Sequence, residues 1–448
     1  MRILAETPRF NQWVFTFAGL LVVLAALGRT VAIHAEPPQN IALNDPLPYG
    51  TPVIDYFAET TDDAVAQWNS KANAKAIALE SHPSRGYLDG LLNALDVPIS
   101  SQMLVFTKTA LNPRLVSPQT PRAIYFNDDV SVGWVSGAES LEIATVDSKR
   151  GVIFYTLSQP KDDADRSLVF RREQRCLACH AGSATLKVPG GVIKSFRPDE
   201  IGKPISGYSR VTHELEFHKR FGGWYVTGKH ADAEHRGNVF GEVQNTIDRM
   251  NMTDLDTLVD TSPYPSRHSD IVAQLVFHHQ MHGWNLLIRA GMESRLNRRS
   301  TVEDDLLRYL LFIDEAPLTA AVSGTSSFTR EFSNRGPKDS QGRSLRQFDL
   351  KTRLFRYRLS YLVYSQAFKG LPRPVRGRLA TRFAHILTTP DCPPPFDQIP
   401  FEERSAIWEI LCDTKPKFVA LRKKADKSSG SLDARREPNS KGAPKSKF

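Results

Sequence analysis

Cysteine is scarce: Cys176, Cys179, Cys392 and Cys412 are the four in a chain of 448 residues. So few cannot make a disulfide-stapled scaffold. With 41% hydrophobic residues, a chain of this length buries two or three domain-sized cores without staples. Long apolar runs are scarcer still. A single stretch, WVFTFAGLLVVLAALG at residues 13–28, excludes a multi-span membrane protein. Excess charge is also missing from the body of the chain. Of the formal +9, eight charges reside at the ends, where Arg2, Arg9 and Arg29 outweigh Glu6 and nine Lys/Arg after residue 420 outweigh Asp426, Asp433 and Glu437. A nucleic-acid groove needs clustered positive charge on a folded surface, so nucleic acid is not an expected partner.

What the N-terminus does have is an export signal. Arg2 and Arg9 precede an uncharged stretch over residues 10–28, followed by TVAIHAEPP with the small Ala35 ahead of a Glu-Pro-Pro break. A basic start, a short apolar segment and a small residue at the end describe a signal peptide, cleaved after Ala35. The alternative is membrane attachment through residues 10–28 as an uncleaved anchor, although the run falls just short of a bilayer span. Both readings place the body in the periplasm.

The expected organisation is α+β. After the signal segment (1–35), a region over 36–160 carries a helix from Thr61 to about Glu80 and an antiparallel β unit built from MLVFTKT, RAIYFND, VSVGWVSG, LEIATVD and GVIFYTL. A mainly helical part over 161–420 follows, broken by loops near 322–345, 370–375 and 389–400. The last segment, 421–448, is nearly free of apolar residues and reads as a basic disordered tail.

The chemistry centres on Cys176-Leu177-Ala178-Cys179-His180. This is C-x-x-C-H, the attachment sequence of haem c. Two thiols three positions apart on one helical turn add to the two vinyl groups of haem, and the adjacent imidazole becomes an axial iron ligand. With so few Cys and His in the chain, chance alone yields roughly 0.001 such matches. A disulfide between Cys176 and Cys179, or a thioredoxin-like redox pair, are the competing readings. Pro189, in the KVPGG that follows, is a candidate to accept the far-nitrogen proton of His180 through its carbonyl and so fix the ring's tautomer. Cys392 and Cys412 are expected to form a disulfide closing a loop of about 20 residues, worth roughly 3 kcal/mol.

The second axial ligand decides between an electron carrier and a reactive centre. Two segments offer candidates: FGGWYVTGKHADAEHRGNVFG, with His230 and His235, and DIVAQLVFHHQMHGWNLLIRA, a helix on which Leu275, His278, His279, His282 and Leu286 lie near one face. His235 is preferred, then His282, then His230. Met250 or Met252 and an open position are the alternatives, and His213 and His218 rank below these. Trp134, Trp224, Tyr225 and Trp284 are candidates to line the cofactor.

Residues 176–191 resemble the c-type cytochromes. More widely, VPISSQMLVFTKT, TPRAIYFNDDVSVGWV, CLACH, GGWYVTGKH and VFHHQMH resemble a group of large, secreted, single-haem bacterial proteins usually described only by their cytochrome c domain. The resemblance implies one covalent haem with its iron, electron transfer and a periplasmic redox partner, and assigns ligands only at Cys176, Cys179 and His180. Two rivals stand beside this expectation. One is a haem-dependent, peroxidase-like oxidoreductase with an open distal site; the other is a haem-based sensor or binding protein.

Overall fold

The computed structural model describes residues 39–40, 47–75, 78–160, 168, 170–205, 207–242 and 247–422. The expected signal segment and almost all of the expected tail lie outside the described residues. Among the described residues no helix is long and apolar enough to cross a membrane.

The β-type runs form one antiparallel sheet. After a two-residue strand, β1 (Gln39–Asn40), the sheet is laid down in strict chain order. Its strands are β2 (Met103–Val105), β3 (Arg122–Phe126), β4 (Val130–Trp134), β5 (Ser140–Asp147), β6 (Gly151–Ser158) and β7 (Phe170–Arg172). Turn chemistry sets the register. The Asn127 side chain accepts the N–H groups of Asp129 and Val130 at 3.0 and 2.9 Å, closing the turn from β3 to β4. Asp147 does the same for Lys149 and Arg150 at the β5–β6 hairpin, which Gly151 completes at a φ of +88°. In β5, buried Leu141 and Ile143 alternate with half-buried Ser140, Glu142 and Ala144, so the two faces of the sheet differ in chemistry.

One face carries Leu104, Tyr125, Val132, Trp134 and Ile143, packed with α1 (Ala64–Lys75) and α2 (Leu88–Ala94). The helix expected from Thr61 to Glu80 is shorter than its pattern at both ends. Asp63 caps it by accepting the N–H groups of Val65 and Ala66, and residues 78–80 lie beyond it. The other face carries Met103, Ile124, Phe126, Val152 and Phe154 and packs with the longest helix, α4 (Ile271–Arg295). A short helical turn, α3 (Leu177–His180), lies between sheet and helix in the chain.

The helix α4 is buried over Ile271–Glu293, polar residues included, so it is a core rod and not a surface amphipath. Asp270 starts it: one carboxylate oxygen accepts from Val272 and Ala273, and the other from the Thr325 and Ser326 backbone. Among the described residues ahead of α4 the expected helical texture does not appear. The described residues of 181–270 hold short 3₁₀ turns and one two-stranded pair, β8 (Lys194–Ser195) with β9 (Ser209–Arg210). Left-handed backbone at Leu186, Lys187, Phe221, Ala231, Asn238 and Asn251 interrupts any helix there. The described residues group as one compact unit, and the sheet and α4 share one core across the expected boundary at 160.

Beyond β10 (Arg298–Arg299), which pairs in parallel with β1, the chain is helical only in part: residues 346–360 are irregular where helix was expected, and one helix falls within the loop expected near 322–345. It forms α5 (Glu303–Leu310), α6 (Phe328–Asn334), α7 (Gln366–Lys369), α8 (Arg373–Thr388), α9 (Phe401–Thr414) and α10 (Pro416–Val419). The expected Cys392–Cys412 disulfide is not formed; both are free thiols, Cys392 buried and Cys412 half-buried. Arg404 does the tying instead. Its guanidinium donates to the carbonyls of Ile399, Ile386, Thr389 and Pro390 at 2.5–2.9 Å, holding α9 to the segment after α8.

Candidate functional site

The C-x-x-C-H segment follows the edge strand β7. Glu173 caps a 3₁₀ turn by accepting the Arg175 N–H, and this turn runs directly into α3, leaving Cys176 half-buried, Cys179 exposed and His180 half-buried. The backbone then reverses. Thr185 Oγ1 reaches the Val188 carbonyl at 2.8 Å, and Leu186 and Lys187 adopt φ near +57° and +59°. The reversal returns residue 190 to His180. The Gly190 N–H donates to the His180 carbonyl at 2.8 Å, and His180 Nδ1–H donates to the Gly190 carbonyl at 2.9 Å.

That reciprocal pair corrects the expectation for Pro189. Its carbonyl accepts the Val152 N–H of β6 at 3.0 Å and is not the acceptor for His180. Docking of the loop onto the sheet uses up residue 189 and leaves its neighbour for the imidazole. The consequence for His180 is the expected one. With Nδ1 protonated, Nε2 carries the lone pair. Burial lowers the pKa of the ring, and the cationic Arg122 and Lys194 act in the same direction against the Gly190 carbonyl and Glu142. His180 is therefore a neutral imidazole, the form that binds a metal.

The position of Gly190 is fixed by α4. Asn285 accepts the Gly191 N–H at 2.9 Å and donates to the Gly191 carbonyl at 2.8 Å. A Cβ on Gly190 would collide with the Asn285 side chain, and one on Gly191 with the Met281 sulfur, so this approach requires both glycines. Arg289, ion-paired with Glu293 at 2.7 Å, donates to the Leu186 carbonyl and anchors the same loop.

Cys176, Cys179 and His180 line one cavity of about 470 Å³ between the sheet and α4. That volume lies in the range of cofactor pockets. Phe277, Met281 and Trp284, at helical i, i+4, i+7 spacing, form the α4 wall. Ile124, Val152 and Phe154 form the apolar part of the sheet wall, with the Phe154 ring centroid 4.9 Å from that of His180. Small residues clear the middle of that wall: Ser131 and Gly133 on β4 and Ala144 on β5. Arg122 and Glu142 supply an ion pair at 2.9 Å on the same wall. Burial, with Glu142 and Glu173 nearby, pushes the Cys176 thiol up to about 12, so it is an un-ionised thiol.

His230, His235 and His282 do not join this cavity. His230 bonds through both ring nitrogens, to the Ala233 carbonyl at 2.7 Å and the Asn251 N–H at 3.1 Å. His235 packs 4.6 Å from the His230 ring and 5.5 Å from Phe221. His282 stands edge-on to Tyr309 at 4.9 Å. On α4, the cavity takes residues 277, 281 and 284, which rotates His278 and His282 away from it. His279 and His213 share a 2.8 Å Nδ1–Nδ1 hydrogen bond, and His279 Nε2 meets Ser360 Oγ at 2.6 Å. Burial, aided by neighbouring cations and imidazoles, pushes His235, His279 and His282 down to about 3. Among the described residues no three His, Cys, Asp or Glu side chains converge to hold a metal ion.

Met250, Met252, His213 and His218 also lie outside the cavity lining, whereas Trp224 and Trp284 are part of it. Trp134 packs on Tyr264 across the opposite sheet face, and Tyr225 on Phe106. Sequence reasoning missed Met281, Asn285, Arg122 and Glu142. The signal for Met281 was available in the i, i+4, i+7 spacing of Phe277, Met281 and Trp284.

Compared with known proteins, the chain matches no family model, no curated protein and no solved structure.

Proposed function

We propose that this protein is an exported, periplasmic c-type cytochrome, holding one haem covalently through Cys176 and Cys179 with His180 as proximal ligand. The observation that carries this reading is the His180–Gly190 pair. It commits Nδ1 to a carbonyl and leaves Nε2 as the lone-pair nitrogen of a ring in the wall of a cavity that both thiols share. The residues fit the group: two free thiols on one helical turn, a neutral imidazole, and apolar side chains on both the sheet wall and the α4 wall. When bound, haem supplies a one-electron iron centre. The chain's own part is to orient His180 through Gly190 and Asn285 and to exclude water with Phe154, Phe277 and Trp284, and the Met281 thioether in the same wall would be available to the group. The function is electron transfer with a periplasmic redox partner.

A second reading, a haem oxidoreductase of peroxidase type, is favoured by one observation. The Arg122–Glu142 ion pair is set into the cavity wall, where a simple carrier needs only apolar cover. One experiment tests both readings. The full chain is produced with its export signal and haem-attachment machinery, and its oxidised and reduced spectra are recorded. Low-spin bands in both states, from a haem retained on a denaturing gel, support the carrier. High-spin ferric bands favour the oxidoreductase. Absence of covalent haem overturns both.

A further inference from the structure

The ion pair in the cavity wall is unevenly satisfied. Glu142 has both oxygens occupied, Oε1 by the Leu111 N–H at 3.0 Å and Oε2 by Arg122 at 2.9 Å. Arg122 does not have its donors filled. A guanidinium has five N–H groups, only its NH1 reaches Glu142, and its Nε is buried with no hydrogen-bond partner. The surplus is of donors, so the site is deficient in an acceptor, which excludes a cation as the missing ligand.

The backbone is shaped to keep the guanidinium there. Gly133 sits on β4, between Arg122 on β3 and Glu142 on β5, and pairs directly with Glu142. A Cβ at Gly133 would stand 3.3 Å from Arg122 Nε, so the glycine is the bed across which the arginine reaches. The charge of the cavity agrees. Its lining carries Lys108, Arg122, Arg175 and Lys194 against Glu142 alone. Three of those cations are engaged elsewhere: Lys108 at the Val116 carbonyl, Lys194 over the Tyr208 ring, and Arg175 with Glu173. Of the four, Arg122 is the one whose unused donor is buried.

We propose that Arg122 is the anion-recognition group of this cavity, receiving the oxygens of a small carboxylate-like anion. Two sources share that chemistry, a propionate of the bound haem and a free small anion that enters the cavity. The first source rests on the haem reading given above, and the second does not.

The test uses the full-length holoprotein with sodium formate as the free carboxylate, in wild type, Arg122→Gln, Arg122→Lys and Glu142→Gln. For a free anion, formate shifts the optical spectrum of the wild type. Arg122→Gln then weakens its affinity by at least about tenfold, the equivalent of one charge-assisted hydrogen bond, and Arg122→Lys recovers part of the loss. Glu142→Gln, which removes the internal competitor, tightens binding, a change that a merely bracing ion pair would not produce. For a haem propionate, formate leaves the wild-type spectrum unchanged. Arg122→Gln then lowers the midpoint potential, because the oxidised centre loses a nearby positive charge, and Arg122→Lys restores it.

Equal formate response and equal potential in wild type and Arg122→Gln, at equal haem content, overturn the proposal. If the wild type carries no covalent haem, the haem reading falls separately. The anion site is then judged on a formate-dependent rise in melting temperature that Arg122→Gln abolishes, and no such rise overturns it.

Discussion

Asn285 and Gly191 are joined by two hydrogen bonds, one in each direction, at 2.9 and 2.8 Å. Through this contact the central helix holds the backbone whose next carbonyl, that of Gly190, orients His180. Asn285→Ala leaves a buried N–H and carbonyl unpaired, with an expected loss of about 2–4 kcal/mol in urea unfolding. If haem is held as proposed, loosening the acceptor for Nδ1–H makes the imidazole a weaker donor to iron, and the midpoint potential of the holoprotein is expected to rise. A stability loss with no change in potential would confine Asn285 to a packing role.

Pro189 lies one residue from that carbonyl and bonds elsewhere. Pro189→Ala is expected to leave the holoprotein spectrum and potential unchanged and to cost less than about 1 kcal/mol, because the substitution keeps the backbone carbonyl that accepts from Val152. A shifted potential would show that the Pro189 ring itself helps set the position of His180.

Gly133 keeps the middle of the sheet wall open. Gly133→Leu directs a side chain into the cavity of about 470 Å³. Haem content after export is expected to fall at least about tenfold, while overpacking costs stability only about 1–3 kcal/mol. Full haem loading in a folded variant would remove the cavity as the cofactor site.

Acid should unfold this protein through its buried imidazoles. His235, His279 and His282 are held at about 3, and His213 and His278 are also pushed well down by burial. Each is neutral when folded and takes up a proton on unfolding once the pH drops below its ordinary value near 6.5. The stability they contribute is complete above about pH 6.5 and declines as the pH falls toward 3, at up to about 1.4 kcal/mol per pH unit for each ring. Glu315, raised to about 7 by burial, and Asp129, raised to about 6, act in the opposite sense but are outnumbered. Urea midpoints between pH 7 and 4 should fall steadily; a flat profile contradicts the neutral cluster.

Arg404 has the tying role that the sequence had suggested for a disulfide. Reductant should leave the melting temperature unchanged, because Cys392 and Cys412 are free. Arg404→Met, which strips four carbonyls of their partner, should cost about 3 kcal/mol or more. A reductant-sensitive melt with a silent Arg404→Met would reverse the assignment.

What could be read directly from the sequence was local. The C-x-x-C-H spacing is a property of one helical turn, and the alternation in LEIATVD and GVIFYTL is a property of single strands, so α3 and the strands β2–β6 lie where expected. Asx turns at Asn127 and Asp147 involve residues two or three apart, which makes the meander legible as well. Decisions that needed distant residues were not legible. Whether residue 189 or 190 faces His180 depends on which carbonyl β6 takes. Which α4 residues meet the cavity depends on the rotation of that helix against the sheet, and a rotation of one residue exchanges Met281 for His282. Arg122 and Glu142 are 20 positions apart and meet only because the meander lays β3 and β5 on either side of a glycine. Short-range hydrogen bonding and periodicity are encoded residue by residue, whereas register and rotation minimise the packing energy of the whole core and exist only once it has formed.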